Sequence, residues 1–151
     1  ELILVCILKV SLMFMAELAK YLNVETKMEF MSVSSYEDNT YSSGNVKILM
    51  DLDIDIKDKE VLIVEDIIDT GFTLKKIKET LLKREPKDLK IITLLDKPER
   101  REVEIKPDFT GFKIPNEFVV GFGLDYNQLY RNLNYIGVVK RSVYEDIEEM
   151  K

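Results

Sequence analysis

Val61-Leu62-Ile63-Val64-Glu65-Asp66-Ile67-Ile68-Asp69-Thr70-Gly71-Phe72-Thr73 divides into an apolar run, an acidic pair and an Asp/Thr/Gly turn. Four apolar residues bounded by charges read as a buried strand. Leu74, Ile77, Leu81 and Leu82 then share one face of a helix predicted over residues 73–84, which Pro86 ends. In open α/β sheets ligands bind beyond the carboxyl ends of strands, where Glu65 and Asp66 are expected to emerge. The turn at residues 69–73 would aim free backbone N–H groups and a helix dipole at an anion, with the Thr70 and Thr73 hydroxyls as further donors. A monophosphate fits such a cradle without any arginine. Adjacent carboxylates accept hydrogen bonds from vicinal sugar hydroxyls and attract a divalent cation, and Asp69, between the two ends, can act as a general base. The plainer alternative is that the acids cap the helix and Gly71 permits a tight turn.

Outward from this segment the pattern repeats. Residues 2–8 read as a buried strand, and Leu12, Met15, Leu18, Ala19 and Leu22 follow helical spacing. Residues 26–34 alternate as a second strand, 36–44 form a polar loop, and 45–50 a third strand. After the central unit come strands at 90–95, 117–122 and 135–139, then a charged helix from about Val143. Strands alternating with helices predict one α/β domain over residues 1–151 with a mostly parallel central sheet flanked by helices. A chain of 151 residues, 46% hydrophobic, can bury a sizeable core.

Composition narrows the chemistry. A net charge of −6 and a pI near 4.9 argue against a nucleic-acid surface, so a phosphate ligand has to be gripped locally. With no histidine, catalysis has to run on carboxylates, lysines, backbone amides or an oxygen-bound metal. The single Cys6 lies in an apolar run, reads as a buried small hydrophobe and fits a reducing cytoplasm. The apolar start raises a membrane reading, which Lys9 and Glu17 oppose, so no membrane association is expected. A chain opening on Glu1 inside an apparent strand is expected to lack a natural N-terminal segment.

The central segment resembles the phosphoribosyl pyrophosphate loop of type I phosphoribosyltransferases, and its wording Glu-Asp-Ile-Ile-Asp-Thr-Gly is similar to the hypoxanthine-guanine branch. Two later blocks, Leu94-Leu95-Asp96-Lys97-Pro98-Glu99-Arg100-Arg101 and Phe118-Val119-Val120-Gly121-Phe122-Gly123-Leu124-Asp125-Tyr126, resemble that branch's base-binding segments. The resemblance runs from about Leu2 to Val139. It implies the type I fold with a reduced hood, and transfer of 5-phosphoribosyl from phosphoribosyl pyrophosphate to N9 of hypoxanthine or guanine. The products would be IMP or GMP and pyrophosphate, and the cofactor Mg²⁺. It further implies a homodimer or homotetramer.

By that resemblance Glu65, Asp66, Asp69, Thr70, Gly71, Phe72 and Thr73 hold the ribose 5-phosphate, with Asp69 handling the N7 proton. Lys97 contacts the 6-oxo and N7 edge, Phe118 stacks on the purine, and the Val119 backbone reads its edge. Asp125 belongs to the same purine-binding set and helps Glu65 and Asp66 hold Mg²⁺, through water. Lys9 and Val10 bind pyrophosphate through backbone amides, facing Arg131, with Arg101 joining it. Ser35 and Tyr36 begin a flexible loop that closes over the site. Taken alone, Lys97 and the two arginines would be solvated charges, and Phe118 and Val119 core. The family usually has Gly where this chain has Val10, commonly across a non-proline cis peptide. A β-branched residue there predicts weakened pyrophosphate binding.

Two other readings compete. A signalling receiver domain also carries an acidic pair after a strand, but near its start and with a phospho-accepting Asp after a later strand. A catalytically weak relative could instead bind nucleotides as a regulator.

Overall fold

The computed structural model of the chain describes residues 1–35 and 46–145. The elements run β1 (Leu2–Ile7), α1 (Leu12–Ala19), β2 (Thr26–Ser35), β3 (Val46–Met50), β4 (Glu60–Ile68), α2 (Phe72–Leu82), β5 (Asp88–Asp96), β6 (Phe109–Lys113), β7 (Val119–Val120) and β8 (Gly137–Val138). Six strands form one sheet in the order β3-β2-β1-β4-β5-β6, parallel throughout except where β3 returns antiparallel to β2. β7 and β8 make a separate antiparallel ribbon.

β1 and β4 are nearly continuous apolar runs because both sheet faces are covered there. Ile3, Val5, Ile7, Val61 and Ile63 pack with Leu74, Ile77 and Leu81 of α2 on one face. Leu4, Cys6, Leu62 and Val64 pack with Met15 of α1 on the other. Cys6 is fully buried, and burial with the nearby Glu65 charge pushes its thiol up to about 12, so it behaves as a small hydrophobe. From β1 the chain crosses through α1 to β2 on one side, and from β4 through α2 to β5 on the other. The direction of winding therefore reverses between β1 and β4, which opens a crevice at their carboxyl ends.

Several expectations shift. The predicted strand over 117–122 shrinks to the two residues of β7, outside the central sheet, because Gly121 (φ 97°) and Phe122 (φ 51°) bend the chain out of extended geometry. β6 went unrecognised because Phe-Thr-Gly-Phe-Lys is exposed throughout and lacks an apolar run. The helix expected from about Val143 begins as a 3-10 turn over Arg141–Val143, and residues 146–151 lie outside the described residues. The loop expected at 36–44 also lies outside them. No helix among the described residues is long and apolar enough to cross a membrane.

Candidate active site

The crevice at the switch point is a cleft of about 290 Å³ lined by Leu8 and Val10 after β1, Glu65 in β4, and Asp69, Thr70, Gly71 and Thr73. α2 starts at Gly71 (φ 92°) with no side-chain cap, so its first N–H groups are free to face a ligand. A Cβ on Gly71 would lie 2.6 Å from Ile105 Cγ2 and 3.0 Å from Arg101 Cδ, so only glycine fits this turn. Phe72 is the first helical residue, half-buried beside the cradle.

Glu65 and Asp66 lie inside β4, not beyond its end as expected, because β5 continues to pair with β4 as far as Ile68. Both are buried, at 7% and 0% exposure. Burial pushes Glu65 up to about 8, with the Asp66 charge adding to it, and burial alone pushes Asp66 up to about 8. Both Asp66 oxygens are buried without a hydrogen-bond partner among the described residues. Such a group is costly unless a cation or hydroxyl donors satisfy it. Ser11, itself fully buried, donates a long 3.4 Å bond to Glu65 Oε2 and accepts one of 3.2 Å from the Asp66 N–H. That serine, absent from the sequence reading, ties the loop after β1 to the acids. Among the described residues no three Asp, Glu, Cys or His side chains cluster as a metal cage. Two carboxylates completed by substrate oxygens suit Mg²⁺ better than an all-protein cage.

The Leu8–Lys9 peptide is cis. Val10 does not have positive φ, so its β-branched side chain meets no left-handed backbone penalty. A Cβ on Gly123 (φ 102°) would strike the Val10 carbonyl oxygen, which places the third sequence block directly against this loop. Lys9 Nζ and Arg131 Nη2 both donate to Gln128 Oε1, at 3.3 and 3.0 Å, so one amide oxygen gathers two cations. Arg131 also donates to the Gly123 carbonyl at 2.9 Å and pairs with Asp125 at 3.1 Å. The other Asp125 oxygen accepts from the Gln128 N–H at 2.9 Å. Gln128, at φ 67°, carried no sequence signal, since only the folded turn brings it between the cations.

Lys97 is 7% exposed, unlike a solvated lysine. Its backbone N–H donates to the Ile68 carbonyl at 3.0 Å, which seats it beside the turn after β4. Arg101 is committed to Asp96 in a largely buried ion pair, with its Nε buried and without a partner among the described residues. The structure thus joins Arg101 to Asp96 and Gly71, where the sequence reading grouped it with Arg131. Phe118 is 38% exposed, edge-on to Tyr126 at 5.7 Å and tilted against Tyr144 at 5.5 Å. Val119 sits in β7, half-buried, opposite Val138. Ser35 ends β2 opposite Val46, and Tyr36 lies outside the described residues.

Comparison with known proteins agrees with this geometry. Residues 1–127 match the family model of the phosphoribosyl transferase domain. The hypoxanthine-guanine phosphoribosyltransferase of Lactococcus lactis is 59% identical over 138 residues, covering 91% of this chain and 75% of that protein. A hypoxanthine phosphoribosyltransferase crystal structure from Staphylococcus aureus superposes with a TM-score of 0.92 at 53% identity, covering 95% of this chain and 78% of that one. The Trypanosoma cruzi enzyme in complex with the product IMP gives 0.90 at 45% identity, with 95% and 77% covered. A sheet reversing at an acid-lined cleft, a phosphate-type turn and these likenesses place the chain in the phosphoribosyltransferase family, within its hypoxanthine-guanine branch.

Proposed function

We propose that the protein transfers 5-phosphoribosyl from phosphoribosyl pyrophosphate to N9 of hypoxanthine or guanine, releasing pyrophosphate and yielding IMP or GMP for purine salvage. The observation that carries this is the single cleft holding an uncapped helix start, a buried acid and the loop after β1. The free amides at residues 70–73 take the 5-phosphate, and Glu65 and Asp66 take the ribose diol. Lys9 and Arg131, gathered at Gln128, face the departing pyrophosphate. Lys97 donates to the 6-oxo edge, which favours 6-oxopurines over adenine, while Phe118 packs on the ring and the Val119 backbone reads its edge. Asp69 accepts the N7 proton as N9 attacks C1 of the ribose.

Mg²⁺ fits the acids: the unpartnered Asp66 oxygens and Glu65 would hold it with substrate oxygens, and Asp125 would reach it through water. When bound it supplies charge neutralisation for the leaving pyrophosphate. The segment begun by Ser35 and Tyr36 would close over the site and exclude water from the oxocarbenium-like centre. Residues 1–151 form one domain that acts as a homodimer or homotetramer in the cytoplasm. Support for that location is the lone buried Cys6, and support for the activity over a purely regulatory nucleotide-binding role is the backbone that accepts Val10. The family assignment sets the receiver-domain reading aside.

The test is direct assay. Protein, Mg²⁺, phosphoribosyl pyrophosphate and hypoxanthine or guanine should yield IMP or GMP with pyrophosphate. Neither product forming would overturn the enzymatic reading, and tight GMP binding without turnover would favour the regulatory one.

A further inference from the structure

The residues after β5 are fastened to the turn after β4 almost one to one. The Lys97 N–H donates to the Ile68 carbonyl at 3.0 Å and the Glu102 N–H to the Thr70 carbonyl at 3.0 Å. Arg101 Cδ fills the space where Gly71 lacks a side chain. Between these ties Arg100 Nε donates to Asp69 Oδ1 at 2.9 Å. The Arg100 N–H also closes the 3-10 turn onto the Lys97 carbonyl at 3.1 Å. One turn of backbone and one charged hydrogen bond therefore fix Lys97 and Asp69 relative to each other.

We infer that Arg100 is a positioning residue for Asp69, holding Oδ1 so that Oδ2 faces the purine N7 while Lys97 addresses the neighbouring 6-oxo group. The inference rests on the base-handling role proposed for Asp69 and adds a residue to it. O6 and N7 are adjacent on one edge of the purine, so the two groups that read them have to keep a fixed spacing. Lys97 is buried and held by backbone on both sides. Asp69 is 46% exposed on its side chain, and Arg100 is its one side-chain partner among the described residues. A half-exposed carboxylate without that partner would sample other rotamers, and the proton acceptor would be misplaced for part of the time. The bond leaves Oδ2 free and consumes no donor that the substrate needs. An ion pair this exposed contributes little to folding, so its value lies in geometry.

Steady-state kinetics of Arg100→Ala, Arg100→Lys, Asp69→Asn and the double variant Arg100→Ala/Asp69→Asn, with Mg²⁺, phosphoribosyl pyrophosphate and hypoxanthine, test this. Arg100→Ala should lower kcat roughly five- to twentyfold, a loss suited to a misplaced catalytic group. KM for phosphoribosyl pyrophosphate should stay within about twofold, and the thermal midpoint within about 2 °C, because the pair is exposed. Arg100→Lys should recover part of the rate. The double variant should be no slower than Asp69→Asn alone, since both changes disable one unit. A slow Asp69→Asn together with a wild-type rate for Arg100→Ala, or with losses that multiply in the double variant, would overturn the role of Arg100 alone. A wild-type rate for Asp69→Asn would overturn the role of Asp69 and that of Arg100 with it.

Discussion

Glu65 and Asp66 lie within a strand held between β1 and β5, whereas Asp125, Gln128 and Arg131 hang on turns in which Phe122, Asn127, Gln128 and Tyr130 all adopt positive φ. Phe118 and Val119 sit at the start of a ribbon only two residues wide. The acids cannot move without breaking sheet hydrogen bonds, so their burial is enforced even where it disfavours their charged forms. The groups proposed for pyrophosphate and base are set by local turn geometry and side-chain contacts, and they can adapt to ligands. The contrast assigns rigidity to the half of the site proposed to hold the ribose and adjustability to the half proposed to meet the leaving group and the base.

The two halves touch where Gly123 lies against Asp66 Oδ2 as well as the Val10 carbonyl, and breaking that junction should have the largest effect. Gly123→Ala places a methyl group on a backbone oxygen at φ 102°. It should cost about 3 kcal/mol in urea unfolding, within the range for strained positive-φ positions, and should abolish most turnover. An unchanged unfolding curve would show that the loops are not in the contact described.

Next in size is a pH effect confined to the rigid half. Glu65 and Asp66 have folded pKa values of about 8, against ordinary values of 4.5 and 3.8. Between these limits the native state holds protons that the unfolded chain has lost. The stability of the metal-free protein should therefore fall as pH rises from about 4 to about 8, then level off. Saturating Mg²⁺, which favours the ionised acids, should flatten the upper part of that slope. Thermal unfolding across this range checks both, and a metal-free stability that rises with pH would contradict the burial of the pair.

The adjustable half should answer in KM. Lys97→Ala should raise KM for hypoxanthine about tenfold or more, the worth of one charged hydrogen bond, and leave KM for phosphoribosyl pyrophosphate nearly unchanged. Equal changes in both would mean that Lys97 supports the whole site. Gln128→Ala should have the smallest effect, weakening product inhibition by pyrophosphate by no more than about threefold, because Lys9 and Arg131 keep their charges and lose only a shared acceptor. A loss of a hundredfold would make Gln128 a principal ligand.

The rigid half was the more legible one in the sequence. An apolar run broken by Glu65-Asp66 and a Thr/Gly turn are local patterns, and local patterns specify a strand, a turn and a helix start. Its details were not legible: that β4 continues through Ile68 depends on pairing with β5, and that Ser11 bridges to the acids depends on where the loop after β1 lands. In the adjustable half, residues 117–122 looked like a core strand because Phe-Val-Val is apolar, but the glycines at 121 and 123 turn it into a ribbon and loop. β6 escaped notice because an exposed edge strand containing Gly111 shows neither apolar run nor clean alternation. Arg101 could not be assigned by type alone, since its partner, Asp96, was read as part of a base-binding block and not as a counter-ion.

In the proposed binding mode the amides opening α2 take the 5-phosphate while Glu65 and Asp66 take the diol of the same ribose. A crystal structure of the protein with GMP and Mg²⁺ tests it most directly. Phosphate oxygens should lie within hydrogen-bond distance of the amides at residues 70–73, and ribose hydroxyls, directly or through the cation, on Glu65 and Asp66. GMP bound with its phosphate elsewhere, or with the Asp66 oxygens still without a partner and Glu65 touched only by Ser11, would contradict it.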